Sequence, residues 1–194
     1  MNIKHITLFS LSLIFLSNCG KQEQNNEQLL AEYIKAANAH DIQKVQSMYS
    51  DSIIWYLGPY TLKGKEEAIA PLRFDKGANT VLQASKVVVI GDTVDFSLLE
   101  KNDVLTAYGI NELHHFPRFI FKDGLVQTIL SRKPPAENQV FIDNVTAFVK
   151  WLSANKPVEY KKFWPQGKFN FSEETGKAMP IEIKKWKESK RQPM

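Results

Sequence analysis

The chain has 194 residues, 43% of them apolar, with 12 Phe, 6 Tyr and 4 Trp. That suffices for one packed domain, or a domain with an appendage, and excludes a wholly disordered chain. Its single cysteine excludes an intramolecular disulfide and any metal framework built on spaced Cys pairs. The net charge of +4 is uneven: residues 20–149 carry 13 Lys/Arg against 16 Asp/Glu, and residues 150–194 carry 11 against 5.

In chain order, the first segment has a charged start, Met1 to His5, then an apolar run from Ile6 to Leu16. Ser17-Asn18-Cys19-Gly20 ends it. A run this short between such flanks reads as a signal peptide over residues 1–18 rather than a membrane span. Leu16-Ser17-Asn18-Cys19 resembles the lipobox of bacterial lipoproteins, with Asn18 where a smaller residue is usual. The resemblance implies lipidation at Cys19 and anchoring in the cell envelope. Gly20 in place of Asp implies the outer membrane rather than retention at the inner one. Residues 19–26 are polar after the cysteine and read as a flexible tether.

Glu27 to Ala39 puts Leu29, Leu30, Tyr33, Ile34 and Ala37 on one helical stripe. Asp41 is a natural N-cap for a second, short helix. Ser52 to Leu57 reads as extended, and a third helix follows Gly64. Then the period changes to two. Thr80 to Ile90 and Thr93 to Glu100 read as strands joined at Gly91-Asp92. Val104 to Phe121 reads as one long strand, bent or bulged at Gly109 and Pro117. Asp123-Gly124 turns the chain into a last strand, Leu125 to Arg132.

Helices leading into an antiparallel sheet suggest an α+β domain over residues 27–133, and local sequence adds to this. Ala31 to Ile69 resembles the opening of SnoaL-like and ketosteroid-isomerase-like domains of the NTF2-like superfamily: a Tyr-bearing helix, an Asn-x-x-Asp step, a Met-Tyr-x-Asp segment and a Lys-Gly-x-x-x-Ala-Ile helix. Phe119 to Val126 resembles their Phe-x-Phe-x-Asp-Gly hairpin. The resemblance implies a cone of helices packed on a curved sheet, with a cup inside. It places Tyr33 at the isomerases' oxyanion donor. Their general base falls on Trp55 and their second oxyanion donor on Pro117, and neither can move a proton. The isomerase reaction is not expected.

Along Asn111 to Phe116 side chains alternate between sheet faces. Without a bulge at Pro117, His115, Leu113 and Asn111 share the face of Phe119; a bulge would exchange them for His114 and Glu112. The expected cup lining is Tyr33, Trp55, Leu57, Leu113, His115 and Phe119. A histidine there, beside a carboxylate, is a candidate acid or base. No phosphate loop, nucleophile elbow, His-Glu-x-x-His or calcium loop occurs, so no cofactor and no metal are expected.

Residues 134–194 read as a helical, basic extension. Val140, Phe141, Val145, Phe148 and Leu152 form one stripe, and Pro180 suits the first turn of a last helix. Three readings stay open. The cup binds a small, partly apolar ligand without catalysis; or it is an enzyme using His115 and Tyr33; or the sheet face makes a homodimer and the extension holds a partner. An exported position argues against nucleic acid.

Overall fold

The computed structural model describes the backbone of residues 13–131 and 136–191, and the side chains of these from residue 25 onward except Glu137. The start of the expected signal peptide (residues 1–12) and the side chain of Cys19 lie outside the described residues. The first helix, α1 (Leu13–Asn38), takes in residues 20–26. Asn26 is already buried, and its side-chain amide donates to Gly91 O at 2.9 Å. No helix among the described residues is long and apolar enough to cross a membrane.

α2 (Ile42–Ser47) is capped as expected, with Lys44 N donating to Asp41 Oδ1 at 2.9 Å. β1 (Tyr49–Leu57) and β2 (Tyr60–Lys63) form a hairpin, followed by α3 (Gly64–Ala68) and α4 (Ala70–Gly77). β3 (Val81–Ile90) and β4 (Thr93–Lys101) turn at Gly91-Asp92. Next comes a correction: residues 104–108 are not strand but lie in α5 (Asp103–Tyr108). Asn102 starts this helix by accepting from Leu105 N at 2.7 Å, and Gly109 ends it in the left-handed conformation, φ 79°. The strand begins later, as β5 (Leu113–His115) and β6 (Arg118–Lys122), and β7 (Leu125–Leu130) closes the sheet.

The strand order is β2-β1-β7-β6-β4-β3, with β5 also on β4. All pairs are antiparallel except β1 with β7. β4 runs past β6 and β5 in one register: Asp95 faces Arg118, Leu98 faces His115, and Glu100 faces Leu113. Pro117 therefore interrupts the ladder without a bulge, the first of the two arrangements left open; it lacks an N–H, and its carbonyl accepts from Phe96 N at 3.4 Å. The β3–β4 irregularity falls between Ser85 and Val88, where Lys86 has φ 51°. Edge strand β3 is held to α1 through Asn38, whose side chain donates to Leu82 O and accepts from Leu82 N.

Two apolar cores result. One lies between α1–α4 and the sheet, around Leu30, Tyr33, Tyr49, Ile53, Phe96, Phe119 and Phe121. The other joins the extension to the domain: Ala78, Val104 and Tyr108 pack with Phe148, Leu152, Ile183 and Trp186. The extension consists of α6 (Gln139–Asn155), α7 (Pro157–Phe163) and α8 (Glu173–Ser189). Pro180 stands inside α8 rather than in its first turn; Ser172 caps the helix two turns earlier by accepting from Thr175 N. Gly77 and Gly176 bring α4 and α8 into backbone contact. A Cβ on Gly77 would lie 2.0 Å from Glu173 O, and one on Gly176 2.3 Å from Phe74 O.

Candidate functional site

The concave face of the sheet and the helices over it enclose a cavity of about 410 Å³. All six residues named from the sequence line it: Tyr33 from α1, Trp55 and Leu57 from β1, Leu113 and His115 from β5, and Phe119 from β6. The unbroken register at Pro117 puts Leu113 and His115 on that face. His114 points the other way, 3.4 Å from Glu112. Trp55 leaves the cavity open because its ring lies in the wall, where Nε1 donates to Ser131 Oγ at 3.1 Å. Pro117 also lines the cavity. Neither of these two positions supplies a base or an acid.

Tyr33 sits edge-on to Phe119, with centroids 5.0 Å apart, and shares a 3.0 Å hydrogen bond with the hydroxyl of Tyr49. Burial pushes both phenols well above their ordinary range. Each therefore acts as a neutral hydrogen-bonding group.

Two carboxyls missing from the sequence reading complete the polar part. Glu100 of β4 lines the cavity beside His115, whose Nε2 donates to Glu100 Oε2 at 2.8 Å. Asn102 donates to the other carboxylate oxygen at 2.6 Å. The histidine's acidic partner is thus on the neighbouring strand, not Glu112 on its own. The second carboxyl, Asp75 of α4, accepts at Oδ1 from Thr80 Oγ1 at 3.1 Å; Oδ2 takes no hydrogen bond among the described residues. Burial, and then the charge of Glu100, push Asp75 up to about 8 against the effect of Thr80. Burial therefore favours the protonated form of Asp75.

Both were open to period arguments. Glu100 continues the inward series Val94, Phe96, Leu98 at a spacing of two. Asp75 stands three residues from buried Leu72 and four from buried Pro71, on the inward stripe of α4.

The extension supplies walls as well. Phe141 and Phe171 line the cavity, and Phe171 meets Tyr60 edge-on at 5.5 Å and Phe169 at 4.9 Å. No Lys or Arg among the described residues lines the cavity. A shallower groove of about 390 Å³ runs between α1 and β3 and holds no comparable grouping. No group of His, Cys, Asp and Glu with metal-binding spacing occurs among the described residues.

No family model matches the chain, and no curated protein does. Solved structures do. An LEH-like epoxide hydrolase of M. tuberculosis superposes with TM-score 0.51 at 12% identity, over 66% of this chain and 97% of that one. SalBIII, described as an epoxide hydrolase/cyclase-like enzyme in pyran ring formation in the polyether salinomycin, gives 0.50 at 14%, over 56% and 90%. The fold is the NTF2-like cone. A de novo designed protein with a curved β-sheet has it too (0.50, 14%, 64% and 96%). At these identities the likeness concerns the NTF2-like fold and not the chemistry, since this fold carries unrelated functions.

Proposed function

We propose that the NTF2-like cup binds a small, partly apolar molecule, in a protein held at the cell envelope by a lipid on Cys19. The observation that carries this reading is the open cavity of about 410 Å³ with aromatic and aliphatic walls and a few grouped polar tips. Its size and lining are those of ordinary ligand sites. Tyr33, Ser131, Glu100, His115 and Asp75 are the groups able to orient a ligand. Native mass spectrometry of the protein exported from its own envelope tests the reading. A co-purifying mass of a few hundred daltons, released on denaturation, is expected; a bare chain, even after incubation with extracted envelope lipids and metabolites, contradicts it.

A second reading is favoured by one contact. The 2.8 Å bond between His115 and Glu100 orients an imidazole in an apolar cup, as acid–base catalysis requires. Tyr33 would then donate to a developing negative charge. On this reading His115→Ala abolishes turnover and leaves the melting temperature within a few degrees. Equal loss of both assigns His115 to packing.

A further inference from the structure

The electrical balance of the cup is lopsided. Two carboxyls, Asp75 and Glu100, line a cavity that receives no Lys or Arg among the described residues, where His115 is the only basic side chain. Elsewhere this chain matches half-buried Asp95 with Arg118, and buried Glu182 with both Lys156 and Lys185. Asp75 has only the hydroxyl of Thr80, and its Oδ2 is unused among the described residues. Desolvated carboxyls without a counter-charge are costly, and a proton kept on Asp75 relieves that cost.

The walls are a separate observation that points the same way. Tyr33, Trp55, Tyr60, Phe74, Phe96 and Phe171 all border the space. Aromatic faces carry negative charge and attract an ammonium placed over them. Resting on the reading of the cup as a binding site, we propose that its ligand is a small organic amine. The apolar body lies against the aromatic walls, and the ammonium head pairs with Asp75 and Glu100.

The alternatives fit worse. A carboxylate ligand would add a third acid to the cup. A neutral ligand would leave Asp75 with the Thr80 hydroxyl alone. An ammonium supplies the missing charge. It also lets Asp75 ionise, so binding and proton release are coupled. Asp75 is pushed up to about 8 by burial and by Glu100, which supports this coupling. The titratable groups facing it are Glu100 from β4, His115 from β5, Tyr33 from α1, Tyr49 from β1 and Tyr60 from β2. The tyrosines are neutral donors or acceptors. A protonated His115 would repel the same cation, so it acts on binding in the same direction as Asp75.

The test is calorimetric titration of the full-length protein with three probes of one shape: 4-phenylbutylamine, 4-phenylbutan-1-ol and 4-phenylbutyrate. The amine is expected to bind at least about tenfold more tightly than the alcohol, and the acid most weakly. Titrations at pH 7 in two buffers of different ionisation enthalpy should show release of close to one proton per amine bound. Affinity for the amine should rise about tenfold between pH 6 and pH 7. Asp75→Asn, which keeps the acceptor for Thr80, should abolish the proton release and the larger part of the amine preference. The same variant isolates whatever His115 contributes to the slope. Equal binding of amine and alcohol overturns this inference and leaves the cup a binding site. No binding of any probe overturns both. Amine binding with unchanged proton release in Asp75→Asn removes Asp75 from the site and overturns the inference as stated.

Discussion

Asp75 links the cup to the stability of the whole protein. Its proton is lost near 3.8 in the unfolded chain and near 8 in the folded one. Between these values the native state binds the extra proton. The contribution of Asp75 to stability is therefore full below about pH 4 and falls steadily as pH rises to about 8. The expected loss from this group is about 2 kcal/mol between pH 4 and pH 6. Asp75→Asn should flatten that part of the profile, as read by urea unfolding of both proteins at the two pH values. A constant difference between them would contradict the assignment. Asp51, Glu66 and Glu173 act in the opposite sense, since Lys65, Arg73 and Lys177 hold them below their ordinary range. Asp51 and Glu66 are exposed and Glu173 is half-buried, and salt screens all three. Tyr108 offers a second residue-scale check. Its hydroxyl is buried in the extension core without a hydrogen-bond partner among the described residues, amid Phe141, Phe148 and Trp186. Tyr108→Phe removes an unpaired polar atom and should stabilise the protein by about 1 kcal/mol, visible as a rise in melting temperature. A loss of stability would mean that the hydroxyl has a partner.

Among the elements, α4 has the most dependents. It carries Leu72, Phe74 and Asp75 into the cup and is pressed from behind by α8 at Gly77 and Gly176. Gly176→Ala would place a methyl 2.3 Å from the carbonyl oxygen of Phe74, a backbone atom that cannot turn aside. The two helices must part, at a cost of about 3 kcal/mol, and ligand affinity should fall with stability because Asp75 moves with α4. Unchanged stability in this variant would contradict the close approach. The same elements show what the sequence could disclose. α2, β3 and β4 were legible because a cap at Asp41 and a period of two are local signals. α5 was not, since Val104 and Leu105 suit either a strand or a helix, and the choice lies with the capping side chain of Asn102 and burial against the extension. Pro180 misled in the opposite way. It suits a first turn, but the cap at Ser172 and packing around Met179 and Ile183 carry the helix through it.

For the molecule as a whole, the NTF2-like cone and its extension share their interior. Val104, Ala107 and Tyr108 on one side bury themselves against Phe148, Leu152 and Trp186 on the other. A chain ending before Gln139 would expose that surface and lose the wall made by Phe141 and Phe171. Truncation is therefore expected to yield an aggregating or loosely packed protein, seen as dye binding and lost near-UV dichroism, rather than a working cup. A soluble, sharply melting truncated chain would contradict the shared core. The six cup residues expected from family resemblance and strand alternation all border the cavity, since sheet faces follow from local alternation once the register is continuous. Phe141, Phe171 and the pairing of His115 with Glu100 arise from long-range contacts that no local pattern encodes. The central claim is that this cavity holds a ligand. The most direct test is fluorescence titration with the neutral apolar dye N-phenyl-1-naphthylamine, using the full-length protein and Leu57→Trp, which fills the cavity from its wall. Saturable binding that weakens at least about tenfold in the variant, at unchanged melting temperature, is the expected result. Equal binding by both proteins, or by neither, would contradict it.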